Sequence, residues 1–129
     1  MQRTQPVALI DLAPTFVQSA GAVAGLVVDG TSLTPVAQSS TYGLGRVLVI
    51  EAGPRLIDNP WFYRGLRSDH YLYVEYEETG EVEYYDLVKD PYQLLNLAYQ
   101  PTSRNQRLIA EAAARLDVLR DCAGAACRQ

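Results

Sequence analysis

Four short strand-like segments followed by one amphipathic helical segment restrict the possible folds of this chain more than any other feature. Strands are predicted at residues 46–51, 61–67, 71–76 and 82–87, and a helix at about 103–121. The first strand is nearly continuous in apolar residues, the third alternates with Leu72, Val74 and Tyr76 on one face, and the last segment has apolar residues at helical spacing. The polar connection Glu77–Glu81 contains a glycine and predicts a hairpin.

Segregation of strands and helices along a chain is typical of α+β proteins. We therefore predict a small antiparallel sheet of about four strands with the C-terminal amphipathic helix packed on it, preceded by a short helix and a long loop. Two further details are expected. Asp90-Pro91 predicts a helical turn that runs to about Leu95, and Glu111 and Arg115 are expected to pair across one turn of the last helix.

The N-terminal region is predicted to be a short helix over 11–20 and then a loop over 21–45. Asp11 is expected to cap the helix, and Gly21 to end it. A connection as long and as rich in Gly, Ser, Thr and Pro as 21–45 is expected to wrap over a larger body. The apolar run Val7–Ile10 comes almost at once, which predicts that further sequence precedes it.

The charge balance argues against several partners. The 129 residues include 11 Lys and Arg against 15 Asp and Glu, for a formal charge of −4. Nucleic acid is not expected, because phosphate binding needs a concentrated cationic surface. A membrane is not expected either, because no apolar stretch approaches the ~20 residues that span a bilayer. The N-terminus lacks the apolar segment of a signal peptide.

Cys122 and Cys127 lie five positions apart near the C-terminus. A structural metal site would need more ligands than two thiolates and the distant His70. A redox pair would have the Cys-x-x-Cys spacing. A small disulfide loop fits best and implies an oxidising compartment. Two free thiols on a frayed tail are the remaining alternative.

Four blocks of sequence, in order, resemble the sulfatases of the alkaline-phosphatase-like superfamily. The family patterns are D-L-A-P-T, D-G-x-S-L-x-P, Y-x-G-V-R-T-x-x-Y-K-Y, and T-G-E with E-L-Y-D-L and D-P-x-E-x-x-N-L. The matching segments here are Asp11–Thr15, Asp29–Pro35, Tyr63–Tyr73 and Thr79–Leu97. The chain departs from these patterns at Leu72, Tyr84 and Gln93, where the family often has Lys, Leu and Glu. The terminal Cys-Ala-Gly-Ala-Ala-Cys-Arg resembles secreted arylsulfatases and N-acetylglucosamine-6-sulfatases.

The resemblance implies the C-terminal part of a sulfatase, with residues 1–45 at the end of the core domain and 46–129 as the C-terminal α+β subdomain. In that family a C-x-P-S-R or S-x-P-x-R motif supplies the formylglycine nucleophile, and Asp and Asn residues hold calcium. Neither cysteine here is followed by x-Pro-x-Arg. We therefore assign no catalytic or metal-binding residue and expect the chain alone to be inactive. Calcium and formylglycine are implied for the parent enzyme, which is expected to be secreted or in the cell envelope.

Arg67, Asp69 and His70 are the candidate substrate-binding residues, since they lie near the start of a strand where a loop could face a sugar or sulfate. The missing N-terminal sulfatase domain is the expected partner of this chain, and a sulfated carbohydrate is a candidate ligand of the intact enzyme. Self-association through the apolar segments Val7–Ile10 and Phe16–Val17 is also expected.

Two alternatives belong to other functional classes. The chain could be a stand-alone carbohydrate- or protein-binding module that uses its tyrosine-rich sheet, or a truncated, non-functional relic. The nine tyrosines could form a platform for sugars. We favour the simpler interpretation that they cover the sheet beneath a neighbouring layer.

Overall fold

The computed structural model describes residues 3–54 and 61–128 and confirms the α+β prediction. The helices are α1 (Leu12–Ser19), α2 (Thr34–Gln38) and α3 (Ser103–Leu119). The strands are β1 (Leu48–Ala52), β2 (Tyr63–Arg67), β3 (Tyr71–Glu75) and β4 (Val82–Asp86). Short 3-10 turns lie at Leu9–Asp11, Leu97–Tyr99 and Gly124–Cys127. The region predicted as loop at 21–45 therefore contains one short helix, α2, which begins beside Pro35 as a proline-started helix does.

The strands form one antiparallel sheet in the order β1-β2-β3-β4, as expected for strands joined by short connections. The predicted hairpin at Glu77–Glu81 is confirmed, because Tyr76 and Glu81 are bonded across it, N to O at 2.9 Å. Gly65 in β2 pairs with Val74, and a Cβ at Gly65 would lie 2.1 Å from the backbone oxygen of Tyr73. This close approach explains why glycine stands within an otherwise aromatic and basic strand.

The core lies between the sheet and α3. One register row crosses the sheet from Val49 through Leu66 and Tyr73 to Tyr84. Its side chains pack with the buried face of α3, which carries Ala112, Leu116 and Leu119. Tyr73 and Tyr84 therefore cover the sheet beneath a helix, as we favoured for the tyrosines.

The predicted cap at the start of α1 is wrong in detail. Asp11 makes no side-chain cap to the helix. Its carboxylate instead accepts two hydrogen bonds from Arg46, at 2.7 and 2.8 Å, and one each from the backbone N–H groups of Ala8 and Thr31. A guanidinium that binds both oxygens competes successfully with the helix amides because the bonds are charge-assisted.

The C-terminus of α1 follows the prediction. Gly21 has φ +63°, and the bonds Ala22 N to Val17 O (3.0 Å) and Gly21 N to Gln18 O (3.1 Å) form a Schellman motif. Gly30 also has a steric role, since a Cβ there would lie 2.2 Å from the backbone oxygen of Ile10. The loop around Gly30 therefore packs directly against the chain before α1.

Two other local predictions are wrong. No helix follows Asp90-Pro91. The carboxylate of Asp90 accepts from the N–H groups of Leu94 (3.0 Å) and Leu95 (2.8 Å), and Gln93 has φ +57°, so the chain makes a tight turn. On α3, Glu111 pairs with Arg107, one turn earlier, instead of with Arg115.

Cys122 and Cys127 form a disulfide, which confirms that prediction. The loop it closes packs on the segment before α2: Gly124 N–H donates to Asp29 Oδ1 at 2.6 Å, and Arg128 donates to the carbonyl oxygen of Val28. The C-terminal turn is thereby bonded to a loop 95 positions earlier in the sequence. No helix in the described residues is long and apolar enough to span a membrane.

Candidate functional site

The turn between β2 and β3 is held by Ser68, which is buried. Ser68 Oγ accepts hydrogen bonds from the backbone N–H groups of His70 (3.1 Å) and Tyr71 (3.0 Å). The Ser68 N–H donates in turn to the Tyr71 carbonyl oxygen at 2.9 Å. A serine whose hydroxyl satisfies its own turn is a common way to fix a tight connection. The three candidate substrate-binding residues flank or belong to this rigid turn.

The structure brings two of those three candidates together. Asp69 Oδ1 and His70 Nδ1 are 2.6 Å apart, and the His70 side chain is 68% exposed. Arg67 is exposed at the end of β2 and has no hydrogen bond or ion pair with Asp69 or His70. The geometry thus yields an exposed Asp–His pair and a separate arginine. Their role in substrate binding stays a prediction.

A cleft opens beside this turn, between the end of the β3–β4 pair and α3. We call it the Tyr71–Arg104 cleft, and its volume is about 510 Å³. Its walls include the rings of Tyr71 and Tyr84, which are parallel with centroids 5.6 Å apart. Leu108 and Ala112 of α3 add apolar surface. The charged lining consists of His70, Asp86, Lys89, Arg104, Glu111 and Arg115.

Most acidic charge in the Tyr71–Arg104 cleft is already paired. Asp86 accepts from Lys89 Nζ at 2.9 Å, and this hydrogen bond lowers the pKa of Asp86. Glu111 Oε1 lies 3.7 Å from Arg107 Nε, and Arg107 is outside the cleft.

Two guanidinium groups of the cleft are not used in this way. Arg104 and Arg115 take part in none of the ion pairs found within residues 3–54 and 61–128. Arg115 lines the cleft near Tyr71, which has no charge to pair with it. The cleft therefore has unneutralised positive charge.

Both tyrosines of the cleft are uncharged at neutral pH. Burial raises the pKa of Tyr71, and Arg115 opposes that shift only in part. Burial also raises the pKa of Tyr84 to about 12, with smaller contributions from Tyr71, Asp86 and Glu111, whereas Arg104 acts in the opposite direction. The rings thus offer an apolar wall with neutral hydroxyl groups and cannot serve as bases.

Of the residues that line the Tyr71–Arg104 cleft, only His70 was predicted from the sequence as a site residue. A signal was present: Arg104, Leu108, Glu111 and Arg115 recur at spacings of four, three and four, which places them on one stripe of a helix. Charged residues along the border of an apolar stripe could have indicated a helix edge that faces a groove. Which strand residues face that stripe depends on the packing of α3 and could not be read from spacing.

The residues described do not fit the formylglycine and calcium chemistry of sulfatases. Both cysteines are joined in the disulfide, so neither is available for conversion to formylglycine. Within residues 3–54 and 61–128 there is also no group of three or more His, Cys, Asp or Glu side chains placed to hold a metal ion. We derive no catalytic step from these residues.

Comparison with known proteins gives one consistent finding. No protein-family model matches the sequence, and no curated protein matches it significantly. Among solved structures, a protein classed as a sulfatase from Bacteroides thetaiotaomicron is 30% identical, with a TM-score of 0.66 over 83% of this chain and 23% of its own. A 2-O GAG sulfatase gives the same values. A sulfatase-classed protein from Bacteroides fragilis is 20% identical over 88% of this chain, with a TM-score of 0.59, and shows the fold alone.

The structural match covers very different shares of the two chains compared. It includes most of this chain but only 23% of each of the two 30%-identical proteins. The four sequence blocks that resemble sulfatases include the start of α1, the loop before α2, strands β2 to β4 and the turn after β4. The chain is similar to these two proteins over about a quarter of their length, as a C-terminal sulfatase subdomain would be.

Proposed function

We propose that this chain forms the C-terminal part of a sulfatase, supports the active-site cleft of the parent enzyme, and has no hydrolytic activity of its own. One observation carries the proposal: 83% of this chain matches, at 30% identity, only 23% of a sulfatase-classed chain. Sulfate ester cleavage needs an activated oxygen nucleophile and strong stabilisation of negative charge. In this proposal, the missing N-terminal sulfatase domain supplies both, with formylglycine and calcium.

The surface around α1 supports a docking role. Leu9 is 85% exposed, Phe16 is 67% exposed, and Ile10 and Leu12 are also exposed. Val23, Leu26 and Val27 extend this apolar surface along the following loop. We call these seven residues the N-terminal apolar surface. Large apolar side chains left exposed in such number usually indicate an interaction site, and in our proposal the N-terminal sulfatase domain covers them.

The β2–β3 turn is our candidate for contact with substrate. Ser68 makes the turn rigid, so Asp69 and His70 are presented at a fixed place on the surface. An exposed imidazole and a nearby guanidinium could donate hydrogen bonds to a sulfate or to sugar hydroxyl groups. We assign Arg67, Asp69 and His70 this role in the parent enzyme only. A sulfated carbohydrate is the corresponding substrate class.

A location outside the cytoplasm is part of the proposal. The Cys122–Cys127 disulfide supports it, because disulfides persist mainly in oxidising compartments. The family resemblance of the terminal Cys-Ala-Gly-Ala-Ala-Cys-Arg segment to secreted sulfatases points the same way.

Hydrolysis of a generic aryl sulfate with calcium present tests the proposal. The chain as it stands is compared with a version extended upstream to include the formylglycine motif. We expect activity in the extended version alone. A Cys-to-Ala change in that upstream motif is the matched control, and it should abolish the activity while leaving this chain unaltered.

The other outcomes have clear meanings. Turnover by the short chain alone would contradict the proposal. A folded extended version without activity would favour a binding module or a relic. In an active extended enzyme, His70→Ala should raise KM for a sulfated saccharide, whereas Arg107→Ala, at a residue outside both the β2–β3 turn and the Tyr71–Arg104 cleft, should change KM less.

A further inference from the structure

We propose that the Tyr71–Arg104 cleft binds a sulfated saccharide, with Arg104 binding the sulfate, Arg115 binding a second anionic group, and the tyrosine wall facing a sugar ring. The choice of a saccharide rests on the proposed function. The preference for an anion follows from the cleft itself. No catalytic role is involved, because the inference concerns binding alone.

The charge pattern of the cleft is the first argument. Its two acids already have cationic partners, Asp86 at 2.9 Å from Lys89 and Glu111 at 3.7 Å from Arg107. Of the cationic side chains in the cleft lining, Arg104 and Arg115 therefore have no ionic partner among the described residues. Guanidinium groups are planar forks of N–H donors, and they match the oxygens of sulfate, phosphate and carboxylate groups.

The shape and lining are the second argument. A volume of about 510 Å³ is in the range of small-ligand sites and can hold one or two sugar rings. The Tyr71 and Tyr84 rings lie parallel, 5.6 Å apart, and together with Leu108 they form apolar surface next to the arginines. Apolar ring surface beside convergent donors suits a ligand with C–H groups on one side and an anionic substituent on the other.

The position of the two arginines on α3 is the third argument. They are 11 residues apart, about 16 Å along α3, so one rigid helix presents them to two different parts of a ligand. A binding group on a helix keeps its geometry better than one on a loop.

The overall charge of −4 sets a condition on this binding. The whole molecule repels a polyanion at long range, so affinity must come from short-range contacts in the cleft. We therefore expect moderate affinity that falls as salt is added, and a preference for short saccharides over long polyanions.

Titration of the isotope-labelled chain, followed by NMR, tests the inference. The probes are a sulfated glucosamine–uronic acid disaccharide, the same disaccharide without sulfate, and inorganic sulfate. We expect shifts at Tyr71, Tyr84, Leu108 and Arg115 with the sulfated disaccharide. Binding of the unsulfated disaccharide should be at least about tenfold weaker, since it lacks the group that Arg104 binds. Inorganic sulfate should shift the arginine signals more than the tyrosine signals.

Variants separate a specific site from general attraction. Arg104→Gln should weaken binding of the sulfated disaccharide about fivefold or more, and Arg104→Lys should weaken it less. Arg107→Gln is the matched control: it removes the same charge from the same helix outside the cleft, and binding should stay within about twofold of wild type.

Several results would overturn the inference: an equal loss with Arg107→Gln, equal binding of the sulfated and unsulfated disaccharides, or shifts confined to other surfaces. Arg104 is exposed, so its replacement should not disturb the fold. Because the assay measures binding without hydrolysis, its failure leaves the aryl sulfate experiment standing. Inactivity of the extended enzyme would likewise leave this binding result standing.

Discussion

Asp11 carries a negative charge with none of its surface exposed to solvent, and four hydrogen bonds compensate it. The donors come from three separate segments: Ala8 before the helix, Thr31 in the loop and Arg46 before β1. A single carboxylate thereby joins the N-terminal region to the sheet. This role gives a structural reason for the aspartate at the start of the D-L-A-P-T block.

Replacement of Asp11 by Asn should destabilise the fold strongly. The change leaves the Arg46 guanidinium, whose side chain is 9% exposed, without its counter-charge. Loss of one partner from a buried ion pair costs about 3–5 kcal/mol. We expect this loss in the free energy of unfolding by urea denaturation. Glu111→Gln, in an exposed pair on α3, is the control and should cost less than about 0.5 kcal/mol; equal losses would contradict the assignment.

Asp11 also predicts a specific acid sensitivity. Burial alone raises its pKa, but hydrogen bonds from Arg46, Ala8 and Thr31 outweigh burial, so the pKa lies below its ordinary value of 3.8. A folded-state pKa below the unfolded one stabilises the fold above the unfolded pKa, and that stability is lost as pH falls through the folded pKa. Unfolding free energy should therefore fall below about pH 5. The unfolding free energy of Asp11→Asn should fall less steeply with decreasing pH. Equal slopes in the wild type and the variant would contradict this role of Asp11.

The disulfide-closed turn at Gly124–Cys127 acts as one element that clamps the Asp29 loop. Gly124 N–H donates to Asp29 Oδ1, and Gly124 has φ +61°, a conformation that glycine adopts without strain. A Cβ at Gly124 would also lie 3.0 Å from the side chain of Val27. The element therefore depends on both the disulfide and the glycine.

Replacement of both cysteines by Ser should release this clamp without melting the sheet. A loop of this length stabilises a fold by roughly 2 kcal/mol through its effect on the unfolded chain. We expect faster hydrogen exchange at Gly124 and a loss of up to that amount in unfolding free energy. The hydrogen-exchange rate of the Tyr73 amide, in β3, should change only as much as the global stability changes. Asp29→Asn keeps an acceptor and serves as the control; unchanged Gly124 exchange in the double variant would contradict the clamp.

For the molecule as a whole, the described residues bury one compact core and leave the N-terminal apolar surface open. The core lies between α3 and the sheet, whereas α1 contacts mainly the 3-10 turn that precedes it. A globular chain complete in itself would be expected to cover α1 with another layer. The exposed side of α1 is thus consistent with a part that packs on a larger body.

The isolated chain should self-associate through the N-terminal apolar surface. Leu9→Ser with Phe16→Ser should shift the chain toward monomer in sedimentation velocity at high concentration, because it removes two large apolar side chains that are 85% and 67% exposed. Leu94→Ser is the matched control, since Leu94 is 84% exposed but lies in the turn after β4. A wild-type chain that stays monomeric, or an equal effect of Leu94→Ser, would contradict this prediction.

The sequence by itself determined the parts of this protein that depend on neighbours in the chain. Local rules predicted the features that arise from residues a few positions apart. These are the strand patterns, the hairpin at Glu77–Glu81, the helix end at Gly21 and the periodicity of α3. The disulfide was predictable for the same reason, since its cysteines are five positions apart. Block order also sufficed to indicate the relationship to sulfatases.

Tertiary structure alone decided the features that join distant segments. Asp11 binds Arg46, 35 positions away, instead of capping α1. The turn after Asp90 is a local feature that the sequence rules did not predict, since its carboxylate accepts from the amides four and five positions later, where a helix was expected. The Tyr71–Arg104 cleft exists only because α3 packs at one particular rotation on the sheet. Local propensities amount to fractions of a kcal/mol per residue, whereas a buried ion pair or a packed interface outweighs them, so these choices become visible only in the folded chain.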